Sequence, residues 1–275
     1  MILNDLPEKA LWLRQQVLEM SIRAGQTHMS SVMSLIEIYI TLYYGGFLRY
    51  DPDDPDHPHR DKLLVSKGHA TMGIYPILAD LGFFKMEDLD SFAGPPGLLK
   101  MFGHIGIPGV DATTGSLGHG LGLACGFAWA ARQEKRDQRS FVIMSEGELY
   151  EGSVWESAMF AAHNEMDNII AVIDRNQKII LGETEDLLRL EPIQQKWESF
   201  GWVVHSADGH DFESLHEAFS KAGSDKGKPT IIIADTIKGK GISFMEDRHD
   251  WHYTFMDEEH AAQARKDLQI AAPPA

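Results

Sequence analysis

The chain has 275 residues, 43% hydrophobic and 24% charged, with a formal net charge of −16. That balance argues against nonspecific nucleic-acid binding and against anionic membranes, which need clustered cations, so a substrate anion must be held by a local group of residues. Length permits a substantial core. No apolar run approaches a membrane span, no leader pattern opens the chain, and the single cysteine, Cys125, excludes an intrachain disulfide, so the expected location is the reducing cytoplasm.

In chain order, residues 6–22 read as an amphipathic helix carrying Leu11, Leu13, Val17, Leu18 and Met20, and 32–44 as a second helix. Residues 51–60 contain three prolines, which break helices and central strands, so they form a surface loop. Leu63-Leu64-Val65 is a short buried strand, and the Gly- and Pro-rich residues 83–114 form a long ordered loop of the kind that usually serves function. A helix rich in small residues is expected over 116–133. Strand 141–145, helix 153–163 and strand 168–174 make a βαβ unit with parallel strands. Residues 189–200 look helical, and Val203-Val204, helix 212–222 and strand 230–235 continue the alternation. Solid apolar runs are what strands buried on both faces require. The expected fold is an α/β three-layer sandwich around a mostly parallel sheet, one domain over 1–275, with 266–275 as a frayed tail.

Three groups of residues carry chemistry. Glu146 and Asn176 sit just past the two strands of the βαβ unit. Each alone reads as a turn cap; together they place two hard oxygen donors where α/β sheets bind ligands, an arrangement suited to Mg²⁺ shared with a diphosphate. The backbone N–H groups of Gly147 and Glu148 would face phosphate oxygens. The run Gly115-Ser116-Leu117-Gly118-His119-Gly120 opens a helix, whose unpaired N–H groups suit an anion. Gly118, Gly122 and Gly126 equally make a smooth packing face. The third group is His28, His69 and His104, each in or beside a Gly-containing turn. Imidazoles there can donate to a diphosphate, polarise a carbonyl or move a proton near neutral pH. Cys125 reads as a small buried hydrophobe, and His57, His59, His163, His205, His210, His216 and His249 as structural or exposed.

Side by side, these segments resemble the N-terminal, diphosphate-binding section of transketolase over about residues 10–255. Asp51–Ala70, Pro108–Gly120 and Glu146–Glu156 match in order and spacing. Ser145-Glu146-Gly147 stands where the thiamine diphosphate fingerprint has Gly-Asp-Gly, and Met29-Ser30 where Pro-Gly usually follows the first histidine. The resemblance implies thiamine diphosphate as cofactor and Mg²⁺, Ca²⁺ or Mn²⁺ as metal, held by Glu146, Asn176 and the Lys178 carbonyl. It implies that His28, His69 and His104 line the cleft, that His69, Gly118 and Gly147 touch the diphosphate, and that His252 matches a late histidine near it. It places Glu151 and Glu156 in an acidic network at a subunit interface; as local sequence they are charges favoured at a helix start. The implied reaction is transfer of a two-carbon ketol unit from a ketose, phosphorylated in the usual case, to an aldose. The pyrimidine-binding and C-terminal domains would come from a second chain, in a dimer of heterodimers. The rival readings are a subunit of a 1-deoxyxylulose-5-phosphate synthase-like or other, dehydrogenase-type thiamine-dependent enzyme, and a non-catalytic binding subunit that has lost its metal.

Overall fold

Five strands pair in parallel to make the central sheet of the computed structural model, which describes residues 3–270. They are β1 (Lys62–Val65), β2 (Ser140–Ser145), β3 (Ile169–Arg175), β4 (Val203–Asp208) and β5 (Thr230–Asp235), in the order β1-β2-β3-β5-β4. Register aligns Ser145 at the end of β2 with Asp174 in β3, and Arg175 with Asp235 at the ends of β3 and β5. All five carboxyl ends therefore open on one edge of the sheet, where α/β folds bind their ligands.

Alternate side chains of a strand face opposite ways, and here they feed two separate cores. Phe141, Ile143, Ile170, Val172 and Ile232 pack with Leu13 and Val17 of α1 (Leu6–Ala24), Ile36 and Ile40 of α2 (Ile36–Tyr44), and Leu215 and Phe219 of a helix at Phe212–Ala222. Val142, Met144, Ala171, Ile173 and Ile231 pack with Leu121 and Ala124 of α3 (Gly120–Gln133), Val154 and Ala158 of α4 (Gly152–His163), and Trp197. Helix layers on both faces of a parallel sheet are the three-layer sandwich that the sequence predicts. We label Phe212–Ala222 α5 and Glu258–Asp267 α6.

Several boundaries differ from expectation, for local reasons. The helix expected over 32–44 is two pieces, Met29–Met33 and Ile36–Tyr44, and the break directs Ser34 Oγ onto Asp174 Oδ2 at 2.7 Å. The helix expected from 116 begins at Gly120, because Gly115 and Gly118 adopt φ of +149° and +86° in the preceding turn. The segment 189–200 is helical only over Ile193–Ser199; Pro192 disfavours helical backbone at Glu191. Helix Tyr75–Asp80, helix α6 and the two-residue strands at Lys178–Ile179 and Gly182–Glu183 are additional. Helix α6 buries only alanines, so no apolar stripe announces it. Of the expected tail, Lys266 and Asp267 end α6 and Leu268 is buried in the core, while 271–275 lie outside the described residues.

Candidate functional site

Asp174 organises the edge of the sheet. Its fully buried carboxylate accepts from Ser34 Oγ, Lys67 Nζ, Thr236 Oγ1 and, at 3.2 Å, Asn176 Nδ2. Burial alone would raise its pKa, but the Lys67 ammonium and these donors hold it below the usual carboxylate range. Asn176 is thus oriented from below, and its Oδ1 accepts from the Lys178 N–H at 3.1 Å.

Above this hub lies a cavity of about 390 Å³. Its walls include Lys67, Lys178 and Lys238 together with His28, His69 and His252, Ser31, Gly147 and Asn176. No aspartate or glutamate is among its lining residues, in a chain of formal net charge −16. The three histidine rings cluster, with centroids 4.9 Å apart for His28 and His69 and 5.3 Å for His252 with each of the others. Tyr253 stacks on His28 at 4.3 Å. Lys238 Nζ donates to His252 Nδ1 at 3.1 Å and to Ser31 Oγ at 3.2 Å.

Electrostatics follow from burial among cations. Burial and then Lys238 push His28 down to about 4 and His252 down to about 3. Burial and then Lys67 put His69 well below its ordinary value. Burial and then Lys67 also push Lys238 down to about 8. All three imidazoles are therefore neutral near pH 7 and able both to donate and to accept protons. Lys67 and Lys178 are paired with carboxylates, so it is Lys238, lowered by burial and by Lys67 and bonded to Ser31 and His252, whose charged form an anion in this pocket would favour.

Glu146 is buried at the end of β2, where its Oε2 meets the Arg175 guanidinium. Burial pushes its carboxyl up to about 7, with Arg175 opposing that shift. The other oxygen, Oε1, is buried with no hydrogen-bond partner. An unpartnered carboxylate oxygen suits a hard cation, but Glu146 is not among the residues lining the cavity, and no group of three or more His, Cys, Asp or Glu is arranged around a metal position among the described residues. Gly147 lines the cavity, and a Cβ there would meet Ile179 Cγ2 at 2.6 Å, so the backbone approaches that wall closely. Lys178 lines it too, its Nζ held by Glu183 at 2.7 Å and Asp247 at 2.6 Å.

Other expected residues fall elsewhere. The Gly118 N–H does not face the cavity as an anion donor: it donates to Glu148 Oε1 at 2.8 Å, and a Cβ at Gly118 would lie 2.6 Å from Glu151 Cβ. Glu148 is fully buried, bonded to Ser66 Oγ, and its own N–H donates to Ser145 Oγ at 3.2 Å. These two residues brace the glycine turn, because the turn's first donor is satisfied from within the chain. His104 is exposed and stands outside the histidine cluster; Phe102, from the same loop, lines the cavity instead, 6.0 Å from His28. Glu151, at the N-cap of α4, and Glu156 are exposed. On α3 and α4, Leu123, Trp129, Met159 and Phe160 are exposed, and the Trp129 and Phe160 rings are 6.2 Å apart.

Sequence reading passed over Lys67, Lys238, Asp174 and Arg175. Lys67 precedes the singled-out Gly68-His69, and Lys238 sits in Ile237-Lys238-Gly239-Lys240-Gly241 just beyond β5, a turn signal at a strand end that marks the site as plainly as Glu146 does. Cys125 is a buried thiol pushed up to about 12 by burial, as its apolar setting implies.

The chain matches the model of the transketolase thiamine diphosphate-binding domain over residues 10–274. It is 37% identical over 268 residues to a 6-deoxy-6-sulfo-D-fructose transketolase subunit, SqwG, of Clostridium sp. strain MSTE9, covering 96% of each chain. It is 34% identical over 255 residues to an apulose-4-phosphate transketolase subunit of Phocaeicola vulgatus, covering 93% of this chain and 90% of that one. The transketolase structure from Campylobacter jejuni superposes with a TM-score of 0.92 at 30% identity, over 98% of this chain and 43% of that one. With its lysine-lined cavity at the strand ends, the chain belongs to the transketolase family, as an N-terminal, thiamine diphosphate-binding subunit of these enzymes.

Proposed function

We propose that the chain anchors the diphosphate of its cofactor in the lysine-lined cavity, with a divalent cation, and works with a second chain that carries the pyrimidine-binding and C-terminal domains. The observation that carries this reading is the concentration of Lys67, Lys178 and Lys238 around a cavity lined by no carboxylate. Glu146 through Oε1, Asn176 and the Lys178 carbonyl would hold Mg²⁺, or Ca²⁺ or Mn²⁺ in its place. Lys238, His69, His252 and Gly147 would meet the diphosphate. Thiamine diphosphate supplies the carbon that carries the two-carbon ketol unit between sugars.

The protein's own part is to position and to move protons. Neutral His28, with Nδ1 unpartnered, and His69 are placed to exchange protons with substrate hydroxyls. His104, on the exposed loop, would reach substrate from the rim. The donor would be a ketose bearing an anionic group, since the named relatives act on a sulfonated and a phosphorylated sugar. The exposed apolar residues of α3 and α4, the latter capped by Glu151 and carrying Glu156, are a face for a partner, in keeping with a dimer of heterodimers.

The test is reconstitution. The chain alone should show no ketol transfer, and adding the second subunit with thiamine diphosphate and Mg²⁺ should restore it. Robust turnover by a verified partner-free preparation would refute the two-chain reading.

A further inference from the structure

Behind the cavity, three charged or polar side chains from three elements converge. Arg14 of α1 clamps Glu37 of α2, Nη1 to Oε1 at 2.8 Å and Nη2 to Oε2 at 3.0 Å. His210, in the turn between β4 and α5, places Nδ1 3.0 Å from Glu37 Oε2. The far nitrogen of the same ring, Nε2, is 2.8 Å from the backbone N of Ile237. A backbone amide can only donate, so Nε2 must be the acceptor. That fixes the ring proton on Nδ1, where it donates to Glu37. The group is then a buried Arg–Glu pair with a neutral imidazole of defined tautomer.

This relay ends one residue from Lys238. Arg14 Nε also donates to the Lys240 carbonyl at 3.2 Å, so the same group holds the turn on both sides of Lys238. Between these anchors the Gly239 N–H donates to the Ser30 carbonyl at 3.0 Å, next to Ser31, a partner of Lys238 Nζ. None of Arg14, Glu37 and His210 lines the histidine cavity; they border a separate cavity of about 650 Å³ together with Lys240. They cannot touch an anion bound between Lys67 and Lys238, and can act on it only through the turn.

We propose that His210, oriented by Glu37 and Arg14, is a positioning residue that fixes the 237–240 turn and so holds Lys238 at the diphosphate subsite. The proposal rests on the anion-site reading above. A purely structural histidine would stabilise the β4–α5 turn without affecting what Lys238 binds.

The experiment is a double-mutant cycle on the full chain, read by calorimetric titration with inorganic pyrophosphate and with thiamine diphosphate plus Mg²⁺. Circular dichroism confirms that each variant is folded. His210→Ala should weaken binding about tenfold, the lower end of the loss when an outer-shell partner is removed. In a Lys238→Met background the same change should have less than about a twofold effect, because coupled sites are not additive. His210→Gln keeps an acceptor at the reach of Nε2 and should recover most of the affinity, whereas His210→Asn keeps only the donor to Glu37 and should not. Amide exchange at Ile237 should quicken in the Ala and Asn variants and stay slow in Gln. Additive losses in the cycle, or equal affinities for Gln and Asn, would overturn the positioning role while leaving the anion site standing. Wild-type chain that binds neither probe would overturn both.

Discussion

Glu146 and Arg175 meet at the ends of β2 and β3, and the guanidinium takes only one carboxylate oxygen, leaving Oε1 buried and unpartnered. Arg175 is itself tied to Glu191 at 2.8 Å and Glu185 at 3.3 Å, so the pair is fixed from outside the cavity. The family's usual aspartate is thus replaced by a longer carboxylate that a neighbouring arginine holds in place.

With Glu146 as the proposed metal ligand, metal-supported cofactor binding should depend on pH. Burial raises the Glu146 pKa to about 7, and a metal ligand must be deprotonated. The Mg²⁺-dependent gain in thiamine diphosphate affinity should therefore grow as pH rises through 7, and level off above it. Titrations at pH 6, 7 and 8 on wild type and Glu146→Ala check this. A gain that is flat with pH, or that survives in the alanine variant, removes Glu146 from the metal.

Of the three cavity lysines, Lys67 and Lys238 should separate into a structural and a binding one. Lys67 Nζ is buried against Asp174 and the Ser31 carbonyl. Lys67→Met leaves the Asp174 charge buried without its counterion and should cost about 3–5 kcal/mol of stability. Among the described residues Lys238 bonds neutral groups, Ser31 Oγ and His252, so Lys238→Met should keep the stability and lose pyrophosphate affinity. Urea unfolding and calorimetry on both variants distinguish them; equal stability losses would contradict the assignment.

Anion binding should draw in protons. In the empty cavity burial and Lys67 lower Lys238 to about 8, so near pH 8 it is partly neutral. A diphosphate beside it favours the charged form and raises that pKa. Binding at pH 8 should thus take up protons, and affinity should fall as pH rises above 8. The binding enthalpy measured in buffers of different ionisation enthalpy gives the uptake directly. No dependence on buffer would place the anion away from Lys238.

Gly118 should tolerate no side chain. It has φ of +86°, and an added Cβ would lie 2.6 Å from both Glu151 Cβ and Ser153 Oγ. Gly118→Ala should cost about 1–3 kcal/mol through backbone strain alone, read as a lowered urea midpoint. An unchanged midpoint would mean that the turn is looser than its hydrogen bond to Glu148 implies.

Four strands of the sheet were legible because each is a short apolar run beside turn residues, the signature of buried parallel strands; β4, at the edge and only partly buried, showed only its Val203-Val204 start, because its His205-Ser206-Ala207-Asp208 end carries no apolar run. The placement of Glu146, Asn176 and His69 just past strand ends was legible because those ends can be read from where the apolar runs stop. His104 and Gly118 were harder. Which way a glycine's N–H points, and whether a histidine in a long loop turns inward, depend on contacts distant in sequence: Glu148 for Gly118, and Phe102 occupying the wall for His104. The Asp174–Lys67 pair joins residues 107 positions apart, and the Ile237–His210 bond joins turns after two different strands. Pairings of that kind appear only once the sheet order brings the strand ends together.

The most direct test of the central claim is calorimetric titration of the chain, mixed with the proposed second subunit, with thiamine diphosphate and Mg²⁺ and in parallel with thiamine lacking the diphosphate. The account predicts saturable binding of thiamine diphosphate at one site per chain, severe weakening in Lys238→Met, and little binding of thiamine. Equal affinity for the two compounds, or undiminished binding by Lys238→Met, would contradict it.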